Sequence, residues 1–364
     1  MSGAAATGEI RALTALRGVA AMAVVLQHYS STAEQWSGAR IPSLAPHGYM
    51  AVDFFFILSG FVMAYSYAET FRARGMAAYW PFLLRRVARV WPLQVFVVLA
   101  LVGCGLLYRP FTGGWGLFRS DAIVFDVAAN ILMLQGFGIG ENINGPSGTV
   151  SQELGAYVAF PLMLWFAMHR SRWVVALAGA VAVAVLFREA LAVPKLGLHS
   201  RDLGVMVARC FAEFTLGLLV WRAWREGWCR WIGSDAATVG FSAAAAASLL
   251  LGYDLPAALL FVPIVLAFAW NTGWPARLAA ARVPYFLGVI SYSLYLIHSP
   301  IRFAEFGLLA SLVPGPVSAP VALATAGLLA LTPIPVAWLT YRFVEEPGRD
   351  AIRALMQRRR AKTV

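Results

Sequence analysis

The amino-acid sequence predicts an all-α fold, a polytopic transmembrane helical bundle of about ten spans with both termini in the cytoplasm. Three observations carry that expectation. Of the 364 residues, 60% are hydrophobic and only 13% are charged, which is too apolar for a water-soluble domain. The apolar residues gather into runs of about 20, the length needed to cross a hydrocarbon core. The Lys and Arg residues flank those runs with a strong bias to one side.

Runs long enough to span lie at 11–30, 48–68, 88–108, 152–169, 172–188, 202–222, 236–252, 254–271, 284–303 and 319–342. An eleventh, "DAIVFDVAANILMLQGFGIG" at 121–140, is interrupted by Asp126 and Asn130 and ends in glycines. Charge decides how to place it. If it stays on the outer side, 21 of the 29 Lys and Arg residues fall inside and 7 outside, with Arg209 within a span; if it crosses, the count becomes 11 inside against 17 outside. Only the first arrangement obeys the positive-inside rule. Residues 121–140 are therefore expected to form a re-entrant or interfacial segment. The basic tail "MQRRRAK" then meets an anionic inner leaflet, where each basic residue contributes about 1 kcal/mol.

The first apolar run continues to Gln27 and His28 with no small-residue cleavage site, so a removable signal peptide is not expected. No internal repeat and no long linker divides the chain, so residues 1–364 are expected to form a single membrane domain. The longest outer loops, 31–47 and 109–150, leave no room for an appended soluble catalytic domain. The net charge of +11 follows from basic residues flanking apolar runs and does not point to nucleic acid. Cys104, Cys210 and Cys229 lack CxxC spacing, so neither a disulfide framework nor a metal site is expected.

Polar residues within the runs carry the functional information, because an ionisable group in a span is costly. In "LRGVAAMAVVLQHY", Arg17 and His28 are eleven positions apart, which returns a helix to within about 20° of its start after roughly 16 Å of rise. They mark the inner and outer ends of one stripe. In "HGYMAVDFFFILSGFVMAYSY", Asp53 falls at the depth of His28. It either orients the imidazole or caps the second span. Ser59 is a candidate substrate contact, although with Gly60 it reads first as a small-residue packing pair.

In "FLLRRVARVWPLQ", Arg85, Arg86 and Arg89 form a cytoplasmic cationic patch whose guanidinium forks match phosphate oxygens; topology alone would also place cations there. In "NGPSGTVSQELGAYVAFP", Glu153 and Tyr157 share a helix face in the outer half, with Glu153 in a first turn that favours anions. In "SYSLYLIHSPI", His298 lies in the outer part of its span, and Pro300 is expected to kink or end the helix. Arg209 and Glu213, four apart, read as a structural ion pair. Topology thus separates Arg17, Arg85, Arg86 and Arg89 on the cytoplasmic side from His28, Asp53, Glu153 and His298 on the outer side. A donor with phosphates inside and a reactive group reaching across would be anchored at one end and meet proton transfer at the other.

The order of these segments resembles the acyltransferase-3 family of integral membrane acyltransferases, which O-acetylate bacterial surface polysaccharides and related acceptors. The marks are Arg17 and His28 with ten residues between them, "VDFFFILSGF", "RRVARVWP", the Glu153 stretch, "RCFAEFTLG", "SYSLYLIHSP" and "YRFVEEPGR". They cover nearly the whole chain. The resemblance implies a multi-pass enzyme of the bacterial inner (plasma) membrane. It would take acetyl-coenzyme A, or another acyl-coenzyme A, from the cytoplasm and modify a hydroxyl on a carbohydrate or other acceptor on the far side.

In that scheme Arg85, Arg86 and Arg89, with Arg17, hold the donor. His28 is the general base, Asp53 or Glu153 fixes its tautomer, and His298, Tyr157 and Ser59 face the acceptor. Direct transfer and an acyl-histidine intermediate both stay open. Where a Trp-Ser pair usually precedes the carboxylate, this chain has Gly148 and Thr149, which weakens stacking on a sugar; Ala51 replaces a common Gly. The rival classes are a multi-span transporter or flippase for a lipid-linked or small-molecule substrate, which predicts internal repeats, and a non-catalytic scaffold, which predicts indifference to His28→Ala.

Overall fold

The structure, a computed structural model, describes residues 8–112, 122–200 and 202–361. Among these residues there is no strand. In chain order the helices are α1 (Arg11–Ser37), α2 (Ala51–Arg74), α3 (Tyr79–Thr112), α4 (Ile123–Ile131), α5 (Ser147–Met168), α6 (Arg172–Leu191), α7 (Leu203–Glu226) and α8 (Asp235–Leu251). They continue with α9 (Asp254–Trp270), α10 (Trp274–Ala279), α11 (Arg282–Val289), α12 (Ser291–Leu312), α13 (Ala319–Leu329), α14 (Pro333–Thr340) and α15 (Glu346–Ala361).

Among the described residues, four helical stretches are long and apolar enough to cross a membrane: Gly48–Leu107, which runs α2 into α3, then Arg172–Leu191, Leu203–Glu226 and Ala319–Arg358. The all-helical class is as expected. Two expected spans are not single helices. The run 284–303 is divided at Ile290 into α11 and α12, and 319–342 is interrupted between α13 and α14. Pro333 sits in the first turn of α14, where its missing N–H costs nothing, but its ring opposes a helical residue before it.

The segment 121–140 contains α4, nine residues long and therefore roughly 14 Å, about half a hydrocarbon core. Residue 121 lies outside the described residues. Asp126 and Asn130 are buried and bind backbone. Asp126 Oδ1 accepts from the Glu141 N–H at 2.8 Å, and Asn130 Nδ2 donates to the carbonyls of Asp126 and Glu141, each at 2.7 Å. These polar residues close the loop on itself and satisfy groups that lipid could not.

The chain forms two compact units that interleave in sequence. One combines residues 8–23, Pro46–Trp80 and Val158–Val289; the other combines Val24–Ala45, Pro81–Tyr157 and the chain from Ile290. In the first unit, Asp202 caps α7 by accepting from the Val205 N–H at 2.9 Å, and Gly227 closes it at φ 75°. Both are ordinary helix boundary devices. Helices α2 and α7 pack with backbones nearly touching: a Cβ on Gly60 would run into the Phe214 carbonyl oxygen, and one on Gly217 into the Ile57 carbonyl oxygen. That agrees with the packing role read for Gly60, and Ser59 beside it is buried.

In the second unit, α12 runs unbroken through Pro300 to Leu312, so of the two expected effects of Pro300, a kink or an end, the helix does not end there. Proline at 300 leaves the Leu296 carbonyl without its helical donor. Asn144 Nδ2 supplies the missing bond at 2.8 Å.

Candidate active site

The second unit assembles its polar side chains along α12. Tyr292, Tyr295, His298 and Arg302 follow at spacings of three, three and four, so they lie on one side of the helix over roughly 15 Å of rise. Each meets a partner from another helix or loop.

His298 is fully buried. Its Nδ1 lies 2.7 Å from the Tyr295 carbonyl and its Nε2 lies 2.8 Å from His28 Nδ1. A carbonyl can only accept, so the His298 proton is on Nδ1 and its neutral ring offers Nε2 as an acceptor. His28 must then carry its own proton on Nδ1. The consequence is a lone pair on His28 Nε2, the atom a general base needs. The two rings stack with centroids 5.1 Å apart.

The same unit places Glu153 and Tyr157 beside this stripe. The Tyr157 hydroxyl donates to Glu153 Oε1, and Glu153 lies within electrostatic reach of Tyr292 and Tyr295. The Thr149 hydroxyl donates its one proton to the Pro146 carbonyl at 2.9 Å, so it accepts from the Tyr295 hydroxyl at 2.8 Å. Thr149, at the position where the sequence departs from the family pattern, thus anchors a residue of the α12 stripe.

At the other end of the stripe, Arg85, Arg86 and Arg89 occupy the second and third turns of α3 and are half-buried. The Tyr292 hydroxyl donates to the Val90 carbonyl at 2.6 Å and lies within electrostatic reach of Arg89 and Glu345. Glu345 is fully buried and accepts from Ser293 Oγ at 2.8 Å. It closes a π-turn at Tyr341–Glu345, a rare wide turn that is often found at functional sites.

Three of the sequence-derived candidates belong to the first unit. Arg17 is half-buried on α1, and Ser59 packs within α2. Asp53, fully buried, is held by Arg209: Nε to Oδ1 is 3.0 Å. The same guanidinium reaches Glu189 Oε1 at 3.2 Å and Glu213 Oε1 at 4.0 Å, and it donates to the Leu198 carbonyl. Asp53 thus sits in the first turn of α2, as the capping reading has it, but the group on His28 Nδ1 is His298. Asp53 compensates a buried cation, a task the simple Arg209–Glu213 reading left to one residue. The group that orients His28 is an imidazole.

Several residues escaped the sequence reading. Arg302 stands at the end of the run 284–303, where the charge count treats it as one of the seven outer flanks, yet its Nη1 donates to the His28 carbonyl at 3.0 Å and to Thr32 Oγ1 at 2.6 Å. The available signal was spacing: Thr32 follows His28 by four and Arg302 follows His298 by four, so the two pairs meet across the helices. One turn further, Glu305 accepts from Tyr29 at 2.7 Å and from Thr332.

Residues 10–342 match the acyltransferase domain that defines the acyltransferase-3 family, and the chain belongs to that family of membrane acyltransferases. It is similar to Acyltransferase MdmB from Streptomyces mycarofaciens, 31% identical over 170 residues, which is 44% of this chain and 40% of that protein. It is also similar to Protein 2 in picA locus from Rhizobium radiobacter, 43% identical over 90 residues, or 25% of this chain and 42% of that protein. The aligned parts thus span about two fifths of each curated relative. No solved structure matches.

Proposed function

We propose that this chain is a ten-span O-acyltransferase of the bacterial inner membrane with both termini in the cytoplasm. It transfers an acyl group, acetyl above all, from cytoplasmic acyl-coenzyme A to a hydroxyl of an extracytoplasmic acceptor, a surface or exported carbohydrate. The observation that supports this best is the chain of bonds from the Tyr295 carbonyl through His298 to His28, which leaves His28 Nε2 as a base.

Arg85, Arg86 and Arg89 hold the donor phosphates, and the pantetheine arm follows the α12 stripe toward His28. The acceptor hydroxyl oxygen attacks the thioester carbonyl carbon while its proton passes to His28 Nε2. The tetrahedral intermediate collapses by breaking the C–S bond, and the departing thiolate recovers the proton from His28. His298 stabilises the transient imidazolium by accepting from Nδ1. Tyr295, fixed by Thr149, and Glu153, held by Tyr157, line the path between the two ends. General-base catalysis of this kind contributes about 10² to 10⁴ in rate.

The test is label transfer by the purified chain from radiolabelled acetyl-coenzyme A to cell-envelope extract, comparing wild type with His28→Ala and Arg86→Ala. Loss of transfer in His28→Ala with donor binding intact, and a raised donor KM in Arg86→Ala, supports the proposal. Equal transfer by all three overturns it.

A further inference from the structure

The most exposed-end member of the α12 stripe, Arg302, has a hydrogen-bonding edge that the protein does not use. Its Nη1 end is occupied by the His28 carbonyl and Thr32 Oγ1. On the opposite edge Nε is buried with no partner, and Nη2 reaches only Ser299 Oγ at 3.4 Å. Among the described residues no carboxylate pairs with this guanidinium. The nearest acidic neighbour in sequence, Glu305, gives its oxygens to Tyr29 and Thr332. The guanidinium carbon lies 4.4 Å from the centroid of the Phe303 ring, which supplies no formal counter-charge.

This arrangement contrasts with Arg209, where three carboxylates answer one cation. A half-buried guanidinium without a counter-ion is expensive unless a ligand provides one, and a buried N–H without an acceptor calls for a partner. The Nε and Nη2 hydrogens form the side-on fork that fits the two oxygens of a carboxylate or a phosphate.

The position limits what that ligand is. Arg302 lies one helical turn beyond His298 on the side away from Arg89, so the donor phosphates held by the α3 arginines are at the far end of the stripe. What approaches from the Arg302 end, in the ten-span arrangement proposed above, is the acceptor. We infer that Arg302, with Ser299, is a subsite for an anionic group, carboxylate or phosphate, on the acceptor. The assignment of that ligand to the acceptor rests on the proposed function, whereas the anion site itself does not.

The experiment is thermal unfolding of the purified full chain in detergent at fixed ionic strength, with sodium glucuronate, neutral glucuronamide or inorganic phosphate added against sodium chloride. Glucuronate, phosphate or both raise Tm by about 2 °C or more when saturating, and glucuronamide does not. Stabilisation by glucuronate alone assigns a carboxylate site; because phosphate also suits the α3 arginines, a phosphate site is assigned only from the part of the phosphate shift that Arg302→Gln removes. Arg302→Gln abolishes the glucuronate shift and lowers the phosphate shift, and Arg302→Lys, which keeps the charge but loses the fork, retains less than half of what Arg302→Gln removes. The inference is overturned if neither anion stabilises wild type more than glucuronamide does, or if Arg302→Gln keeps the full shift. Should Arg302→Gln not fold, the wild-type comparison of charged with neutral probe and the Arg302→Lys variant still decide. Failure of label transfer from acetyl-coenzyme A alongside a retained anion shift removes the donor assignment and leaves the subsite standing.

Discussion

Replacing His298 by alanine isolates the step in which one imidazole positions another. The substitution removes the acceptor 2.8 Å from His28 Nδ1, so His28 is no longer held with its proton on Nδ1 and its lone pair on Nε2. In the transition state His28 becomes an imidazolium, and a hydrogen bond to a charged group contributes about 1.5–3 kcal/mol. At 1.36 kcal/mol per tenfold, the predicted fall in kcat is roughly 10- to 150-fold. Donor KM should stay within about threefold, because the α3 arginines are untouched. His298→Gln places an amide oxygen near the lost Nε2, and so should recover about tenfold over alanine. Single-turnover transfer from labelled acetyl-coenzyme A in proteoliposomes reads these rates without product release. If His298→Ala matches wild type within about threefold, or Gln rescues nothing while the protein remains folded, the positioning argument is wrong.

Other outcomes follow from the same contacts. Asp53→Asn weakens one of three carboxylate contacts to Arg209, so it should cost about 1–3 kcal/mol, less than the 3–5 expected when a sole partner is removed. Thermal unfolding should register that loss while kcat per folded molecule changes less than about threefold. A fall in kcat as deep as that of His298→Ala would instead return Asp53 to the active site. Asn144→Ala strips the Leu296 carbonyl of its donor above Pro300 and should lower stability by about 1–3 kcal/mol in the same measurement. Gly217→Leu drives a side chain into the Ile57 carbonyl at the α2–α7 crossing and should abolish recovery of folded protein, with Gly240→Leu, which has open space around it, as the tolerated control.

The helical class and most helix positions were readable because apolar runs and their basic flanks record bilayer constraints directly. Helix ends were less so. The break at Ile290 falls inside a run that is apolar on both sides, so hydropathy alone carries no mark of it. That α12 continues past Pro300 has a specific reason: whether proline stops a helix depends on who satisfies the freed carbonyl, and Asn144 lies 152 residues from Leu296. Asp126 and Asn130 set 121–140 apart from the other apolar runs, and in the structure both bond backbone around the short α4. In the site, His28 and His298 stood out as imidazoles at matching depth, but their mutual contact crosses 270 residues. Asp53 shows the converse. Depth alone cannot say whether a carboxylate faces an imidazole or an arginine, and Arg209, already paired in sequence with Glu213, hid its need for more counter-charge. Arg302 was masked by the positive-inside count, which treats every basic residue as a topological flank.

In the reaction proposed above, acyl donor and acceptor meet at His28 from opposite faces of the membrane. The most direct measurement uses sealed, oriented proteoliposomes with radiolabelled acetyl-coenzyme A on the side of the α3 arginines and an impermeant hydroxyl acceptor on the other. Wild type should label the acceptor, and His28→Ala at least about 100-fold less. Label that appears only when donor and acceptor share one side, or that is unchanged in His28→Ala, would contradict that reaction.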